Sequence, residues 1–209
     1  MGKIILASSS PRRADIMKKT KYKFRVIPSP YQENDTRTDF SFEIKRVSEV
    51  ENIFSTSERV CFKAEGLAFI EDLAYQKAKA VLPLVDESSL IIGADTLVIS
   101  DGKILGKPKD KKDAFRMLKE LSGKKHFVVT SIAVINSETG EVKQNSTTSI
   151  VEFENLTDEQ IDYYIEKYNP LDKAGSYGIQ EMPEGYIKSY EGSLENIIGM
   201  CPEALKKLL

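Results

Sequence analysis

Ile4-Ile5-Leu6-Ala7-Ser8-Ser9-Ser10-Pro11-Arg12-Arg13 is the stretch that sets the fold class. The apolar run Ile4 to Ala7 reads as a buried strand that stops at three hydroxyl residues. Pro11 suits the first position of a helix, where its missing N–H is no loss, and Ser10 is placed to cap that helix. The chain therefore passes from strand through a tight turn into a helix. Arg12 and Arg13 fall in the first helical turn, at the positive end of the helix dipole, where cations are ordinarily disfavoured. Beside free backbone N–H groups and the hydroxyls of Ser8 to Ser10, two such cations suit an anion such as phosphate. A capped helix with solvated arginines fits the same local pattern.

Strands and helices interleave downstream. Tyr22 to Val26 alternates as a half-buried strand, ended by Pro28 and Pro30. Residues 31–57 are polar and charged without a clear period and read as a long loop or inserted segment. Ser57 is placed to cap a helix with the stripe Val60, Ala64, Leu67, Ile70, Ala74, Ala78 and Val81, weakened by Gly66 and stopped by Pro83. Leu90 to Ala94 is a short buried strand, and Leu97 to Ile99 continues it beyond a polar interruption. Asp101-Gly102 turns the chain into Lys103–Leu105. Asp110 caps a helix with the inner face Ala114, Met117, Leu118 and Leu121, closed by Gly123. Phe127 to Ile135 is β-prone, turns at Glu138–Gly140 and returns through Thr147, Ser149, Val151 and Phe153. Thr157 and Gln160 form a capping box, Ile161, Tyr164, Ile165 and Tyr168 make the inner face, and Pro170 closes that helix. Tyr186 to Tyr190 is a further strand, and Pro202 opens a final helix. The class is α/β, a mixed twisted sheet with flanking helices.

With 209 residues, 41% of them hydrophobic, the chain can build one large domain or two small lobes around a cleft. Its 30 basic and 32 acidic residues leave a net charge of −2, which gives no general attraction to nucleic acid or to acidic membranes. Any anion site must be local. Cys61 and Cys201 are too few and too far apart for a metal cluster or a disulfide framework and read as buried or half-buried thiols. Met1 to Leu6 lacks a signal-peptide core, no stretch reaches membrane-spanning length, and the sequons at Asn34, Asn145 and Asn155 are chance matches without secretion. A reducing cytoplasm is the expected compartment.

Asp95 and Thr96 interrupt an apolar strand. A buried carboxylate is costly unless paired or bound to a cation, so Asp95 is a candidate catalytic or metal-associated acid, with a strand-edge aspartate as the plainer reading. Gly93 and Ala94 are small enough to let something approach the backbone. Gly102 to Lys107 has three residues between its glycines and Pro108 where a P-loop has Ser or Thr, so a Walker motif is rejected. Lys107 can still meet a phosphate as a point charge, or stay solvated. Leu171 to Gln180 is a second dense segment: Gly175 and Gly178 permit close ligand approach, and Gln180 offers both donor and acceptor to a base edge. Glu33 is a further carboxylate near the second strand. His126, the single histidine, is read as a surface or strand-edge residue, so neither a histidine-dependent triad nor a structural zinc site has support.

Leu6–Arg13, Gly93–Thr96, Gly106–Pro108, Leu171–Gly175 with Tyr177–Gln180, and Glu191–Ser193 together resemble the Maf family of nucleoside triphosphate pyrophosphatases, in order and approximate spacing along nearly the whole chain. The resemblance implies a mixed α/β fold of two lobes around a cleft, like the inosine triphosphate pyrophosphatases. It implies a single domain over residues 1–209 with a polar insertion at about 36–57. It implies metal-dependent hydrolysis of a nucleoside triphosphate to the monophosphate and pyrophosphate. Asp95 falls on the catalytic-base position, and Arg12, Thr96 and Gln180 on positions linked to substrate choice. Tyr177-Gly-Ile-Gln180 resembles the branch acting on dTTP and UTP. Glu33, Lys77 and Lys107 align with polar positions of the cleft, and Lys173 joins the substrate set. The connection between Glu33 and Lys77 is longer than the family usually carries, a departure that bears on Glu33 and the cleft rim.

The expected mechanism uses Arg12, Arg13 and Lys107 to hold the phosphates, aided by Ser8 to Ser10. Glu33 and Asp95 hold a divalent cation, Mg²⁺ or else Mn²⁺. Asp95 activates a water that attacks the α-phosphorus. Two rival readings are carried: a nucleotide-binding regulator of septum formation with little turnover, and a pyrophosphatase for methylated nucleotides. Homodimers are common in the family, but no sequence feature here requires one.

Overall fold

The computed structural model of the chain describes residues 3–32, 45–46, 60–61 and 64–209. Its centre is a seven-stranded mixed sheet in the order β2-β1-β5-β7-β8-β9, with β6 paired to β5. These strands are β1 (Lys3–Leu6), β2 (Phe24–Val26), β5 (Ser89–Ser100), β6 (Lys103–Leu105), β7 (Lys125–Asn136), β8 (Val142–Phe153) and β9 (Ile187–Glu191). β1 runs parallel to both β2 and β5, whereas β5 through β9 pair antiparallel. The helices are α1 (Pro11–Lys18), α2 (Ala64–Lys79), α3 (Lys111–Leu121), α4 (Asp158–Tyr168), α5 (Leu194–Ile198) and α6 (Pro202–Leu208). The expected mixed sheet with flanking helices is what the chain forms.

Local sequence rules set most of these elements. Asp110 accepts the Asp113 N–H at the start of α3, and Ala114, Met117, Leu118 and Leu121 are its buried face. Each of the larger members contributes on the order of 1.5–3 kcal/mol by leaving water. Thr157 and Gln160 cap α4 reciprocally, and Asn169 ends it in the left-handed conformation. Asp101 and Gly102 both take positive φ in the turn between β5 and β6.

Four expectations are corrected. Asp95 and Thr96 do not break the strand: β5 runs through them for 12 residues because each pairs across to β7, with Ser131 and Thr130. Val60 is not on the helix but in β4 (Val60–Cys61), which pairs antiparallel with β3 (Lys45–Arg46); α2 starts at Ala64. Ser57 and nearly all of segment 36–57 lie outside the described residues. His126 is not at the surface: it is 0% exposed, pointing inward from β7. Ser10 occupies the cap position of α1, but its side chain makes no capping bond; instead its N–H donates to Ser8 Oγ, 3.2 Å away.

The two faces of β5 bury different helices. Leu97 and Ile99 pack with Ile70 and Leu73 of α2, while Ile92 and Ala94 pack with Ile16 and Met17 of α1 and with the C-terminal helix. Gly93 lies so close beneath α2 that a Cβ there would come 2.2 Å from the Ala74 carbonyl oxygen. What approaches the backbone at Gly93 is therefore a helix. Among the described residues, no helix is long and apolar enough to cross a membrane.

Candidate active site

The sheet opens at one place. β1 pairs with β5 only as far as Leu6 opposite Ile92, and β6 begins its pairing at Leu105 opposite Val98. Between them, residues 93–97 of β5 have no neighbour on that edge among the described strands. The C-terminal ends of β1 and β6 face each other across this gap. One delivers Ser8 to Arg13, and the other delivers Lys107. Side chains from both faces of β5 reach the same opening, a cleft of about 330 Å³.

Asp95 and Lys77 meet on the α2 side. Asp95 is buried, and Lys77 Nζ bonds its Oδ1, with side chains 6% and 14% exposed. An ammonium in contact favours the ionised carboxylate, the form able to accept a proton.

Arg13 lies on the other side of β5. Its Nε donates to the Gly199 carbonyl at 2.9 Å and its Nη2 to Thr96 Oγ1 at 3.0 Å; Nη1 reaches Ser8 Oγ at 3.5 Å. All three acceptors are neutral. Burial pulls the guanidinium below its ordinary pKa, the nearby Asp95 charge opposes this, and Arg12 adds to it. The group still stays protonated. A half-buried cation whose hydrogen bonds, among the described residues, all run to neutral oxygens favours an anion as a further partner, and the cleft leaves room for one.

Arg12, Asp172 and Lys173 form a third cluster. Arg12 Nη1 bonds Asp172 Oδ2 at 3.0 Å, and Lys173 Nζ bonds Asp172 Oδ1 at 2.8 Å. Lys173, 7% exposed, also lies 3.1 Å from Glu181 Oε2. Burial alone would raise the Asp172 carboxyl, but Lys173 and Arg12 outweigh it and hold it below the usual range. Tyr177 anchors the wall beyond. Its hydroxyl shares a 2.7 Å hydrogen bond with His126 Nε2, and its ring meets Phe153 edge-on at 4.9 Å. The Gly178 N–H donates to Tyr164 Oη at 3.0 Å, so Gln180 projects from a pinned loop.

A family model described as Maf-like protein matches residues 3–209. The chain belongs to the Maf family. A relative from Ruminiclostridium cellulolyticum, named dTTP/UTP pyrophosphatase, is 40% identical over 100% of this chain and 95% of its own length. Relatives with the same name from Bdellovibrio bacteriovorus and Clostridium novyi are 37% and 33% identical, each over 99% of the chain and 96% and 95% of their own lengths.

In this Maf chain the cleft is lined by Ser8, Ser10, Arg12, Arg13, Lys77, Asp95, Thr96, Lys107, Lys173 and Gln180. Glu33 lies outside the described residues. Ser29, Tyr31 and Asp172 also line the Maf cleft, although the sequence reading did not select them. Pro28 and Pro30 were the available signal for the first two, since they hold the chain in a turn where the Ser29 hydroxyl accepts the Tyr31 N–H. Asp172 stood beside Lys173 in the segment already singled out.

Among the described residues, no three His, Cys, Asp or Glu side chains converge as a metal cage. A hard divalent cation bound through phosphate oxygens needs one or two protein carboxylates and no dedicated cage, and Asp95 is a buried carboxylate lining the cleft.

Proposed function

We propose that the chain hydrolyses dTTP and UTP to the nucleoside monophosphate and pyrophosphate. The names of the relatives support the substrate class. The observation that carries the chemistry is the half-buried Arg13 guanidinium, bonded to neutral oxygens on one side of β5, with the buried Asp95 carboxylate on the other.

A triphosphate entering the gap brings several negative charges. Arg13, Arg12 and Lys107 bind them, with Ser8, Ser10 and Lys173 supplying further donors. Asp95 orients a water against the α-phosphorus and takes its proton as the oxygen attacks; the P–O bond to the β-phosphate breaks and pyrophosphate leaves. Lys77 keeps Asp95 anionic for that step. Asp95 with Glu33 would hold a divalent cation, Mg²⁺ or else Mn²⁺, which when bound neutralises phosphate charge as a Lewis acid. Gln180 presents its amide to the base, and Arg12 and Thr96 share in substrate choice. The compartment proposed is the cytoplasm, where nucleotides are used.

Purified protein with Mg²⁺ is to be offered dTTP, UTP and a panel that includes methylated nucleotides, with pyrophosphate release as the readout. Release from dTTP and UTP above the panel is expected. Tight binding without release would replace the enzyme by a nucleotide-binding regulator. Preference for methylated bases would move it to the other branch. Gln180→Glu should erode the pyrimidine preference; an unchanged substrate ranking in that variant would remove Gln180 from base recognition.

A further inference from the structure

We propose that Thr130 and Asn196, both buried behind the cleft, are positioning residues that aim the Arg13 guanidinium. Thr130 is 1% and Asn196 0% exposed. A chain of hydrogen bonds joins them to Arg13, and its polarity follows from counting hydrogens. Thr130 Oγ1 donates to the Asn196 carbonyl at 2.8 Å. A hydroxyl has a single hydrogen. The 3.0 Å contact between Thr130 Oγ1 and Thr96 Oγ1 must therefore be donated by Thr96. With its hydrogen so committed, Thr96 Oγ1 turns its lone pairs toward Arg13 and accepts from Nη2. The hydroxyl orientation that fixes one arm of the guanidinium is thus set two residues away.

The far end of this chain is itself anchored. Asn196 Nδ2 donates to the Val128 carbonyl at 3.0 Å and to Ser149 Oγ at 2.9 Å. The Ser149 hydroxyl donates to the Ser193 carbonyl at 3.1 Å. Ser193 Oγ in turn accepts the Asn196 N–H at 3.1 Å, which caps α5. Gly192, at φ 95°, passes so near that a Cβ would come 2.8 Å from Ser149 Oγ. The other end of α5 closes on Gly199, at φ 129°, whose carbonyl accepts from Arg13 Nε at 2.9 Å. The Gly192–Gly199 segment therefore grips Arg13 from two directions, through Gly199 directly and through Asn196, Thr130 and Thr96. This accounts for the Glu191-Gly-Ser193 motif, which brings no donor of its own to the cleft.

The inference rests on Arg13 being a phosphate ligand, so the experiment separates the two. Steady-state kinetics on dTTP with Mg²⁺, and inhibition by inorganic pyrophosphate, are to be measured for Arg13→Lys, Thr130→Val and Thr130→Ser. Thr130→Val keeps the shape but removes the acceptor for Thr96. It should raise KM and the pyrophosphate inhibition constant together by roughly tenfold, the scale of one hydrogen bond to a charged group, with kcat within about threefold. Thr130→Ser should restore both. A purely structural role would lower the melting temperature without moving these constants in the folded fraction. If Arg13→Lys raises both constants and a folded Thr130→Val does not, the positioning role is overturned while the phosphate reading stands. If Arg13→Lys is also silent, both fall. Thr130→Ala serves the same comparison should the valine variant fail to fold.

Discussion

Asp95 and Thr96 are consecutive on β5 and point to opposite faces of the sheet, yet both line one cleft, Asp95 bonded to Lys77 and Thr96 to Arg13. A strand's side chains alternate, so a site drawing on two neighbouring positions requires the strand edge to be open. The early end of β1 and the late start of β6 provide that opening.

Asp95→Asn removes the proton acceptor while keeping size and polarity. Turnover should fall about 10²–10⁴-fold, the usual contribution of a positioned general base, with nucleotide affinity largely kept. Pyrophosphate release alongside nucleotide titration reads both quantities. Wild-type turnover would take Asp95 out of the base role.

The Lys77–Asp95 pair should show strong coupling in stability. Lys77→Met leaves a carboxylate buried without its ammonium and should cost about 3–5 kcal/mol. In the Asp95→Asn background the same change should cost about 2 kcal/mol less, since no charge is stranded. Urea unfolding of the four proteins measures this; additive losses would mean that the pair does not act as a unit.

Gly93→Ala should be among the most damaging single-methyl changes. The new Cβ would lie 2.2 Å from the Ala74 oxygen and 2.7 Å from the Ala78 nitrogen, both backbone atoms that cannot rotate away. Helix α2 must shift, and it carries Lys77. A loss of at least about 1–3 kcal/mol is expected, with activity reduced beyond what unfolding explains. Thermal melts together with the specific activity of the folded fraction decide it.

His126 makes stability depend on pH. Burial lowers its pKa from 6.5 to about 3 in the folded protein. The unfolded chain therefore takes up a proton first as pH falls. This contribution is absent above about pH 6.5 and works against the fold between about 6.5 and 3, by up to about 1.4 kcal/mol per pH unit. His126→Gln should flatten the stability profile over that window, as urea midpoints measured from pH 7 to pH 4 would reveal. An unchanged slope would show that His126 titrates normally.

Much of the fold was legible because its signals are local. Ala114, Met117, Leu118 and Leu121 lie on one helical face whatever surrounds them, and Thr157 with Gln160 completes its capping box within one turn. His126 was misplaced because its burial depends on Tyr177 and Phe153, which come from distant parts of the chain. Short α5 went unread because five residues show too little periodicity, and its worth lies in what Asn196 and Gly199 touch. Gly93 was rightly singled out as a close-approach position, but which partner approaches is a tertiary fact.

By itself the sequence determined most of the strands and helices of the central sheet and its flanks, the caps of α3 and α4, and the residues able to handle a polyanion, since each depends on spacing within a few residues. Tertiary structure alone decided that Asp95 would meet Lys77, that Arg13 would be bonded to Gly199 and Thr96, and that Asp172 would meet Arg12. Those contacts join segments far apart in the chain, and their geometry follows from where β1 stops and β6 begins along β5.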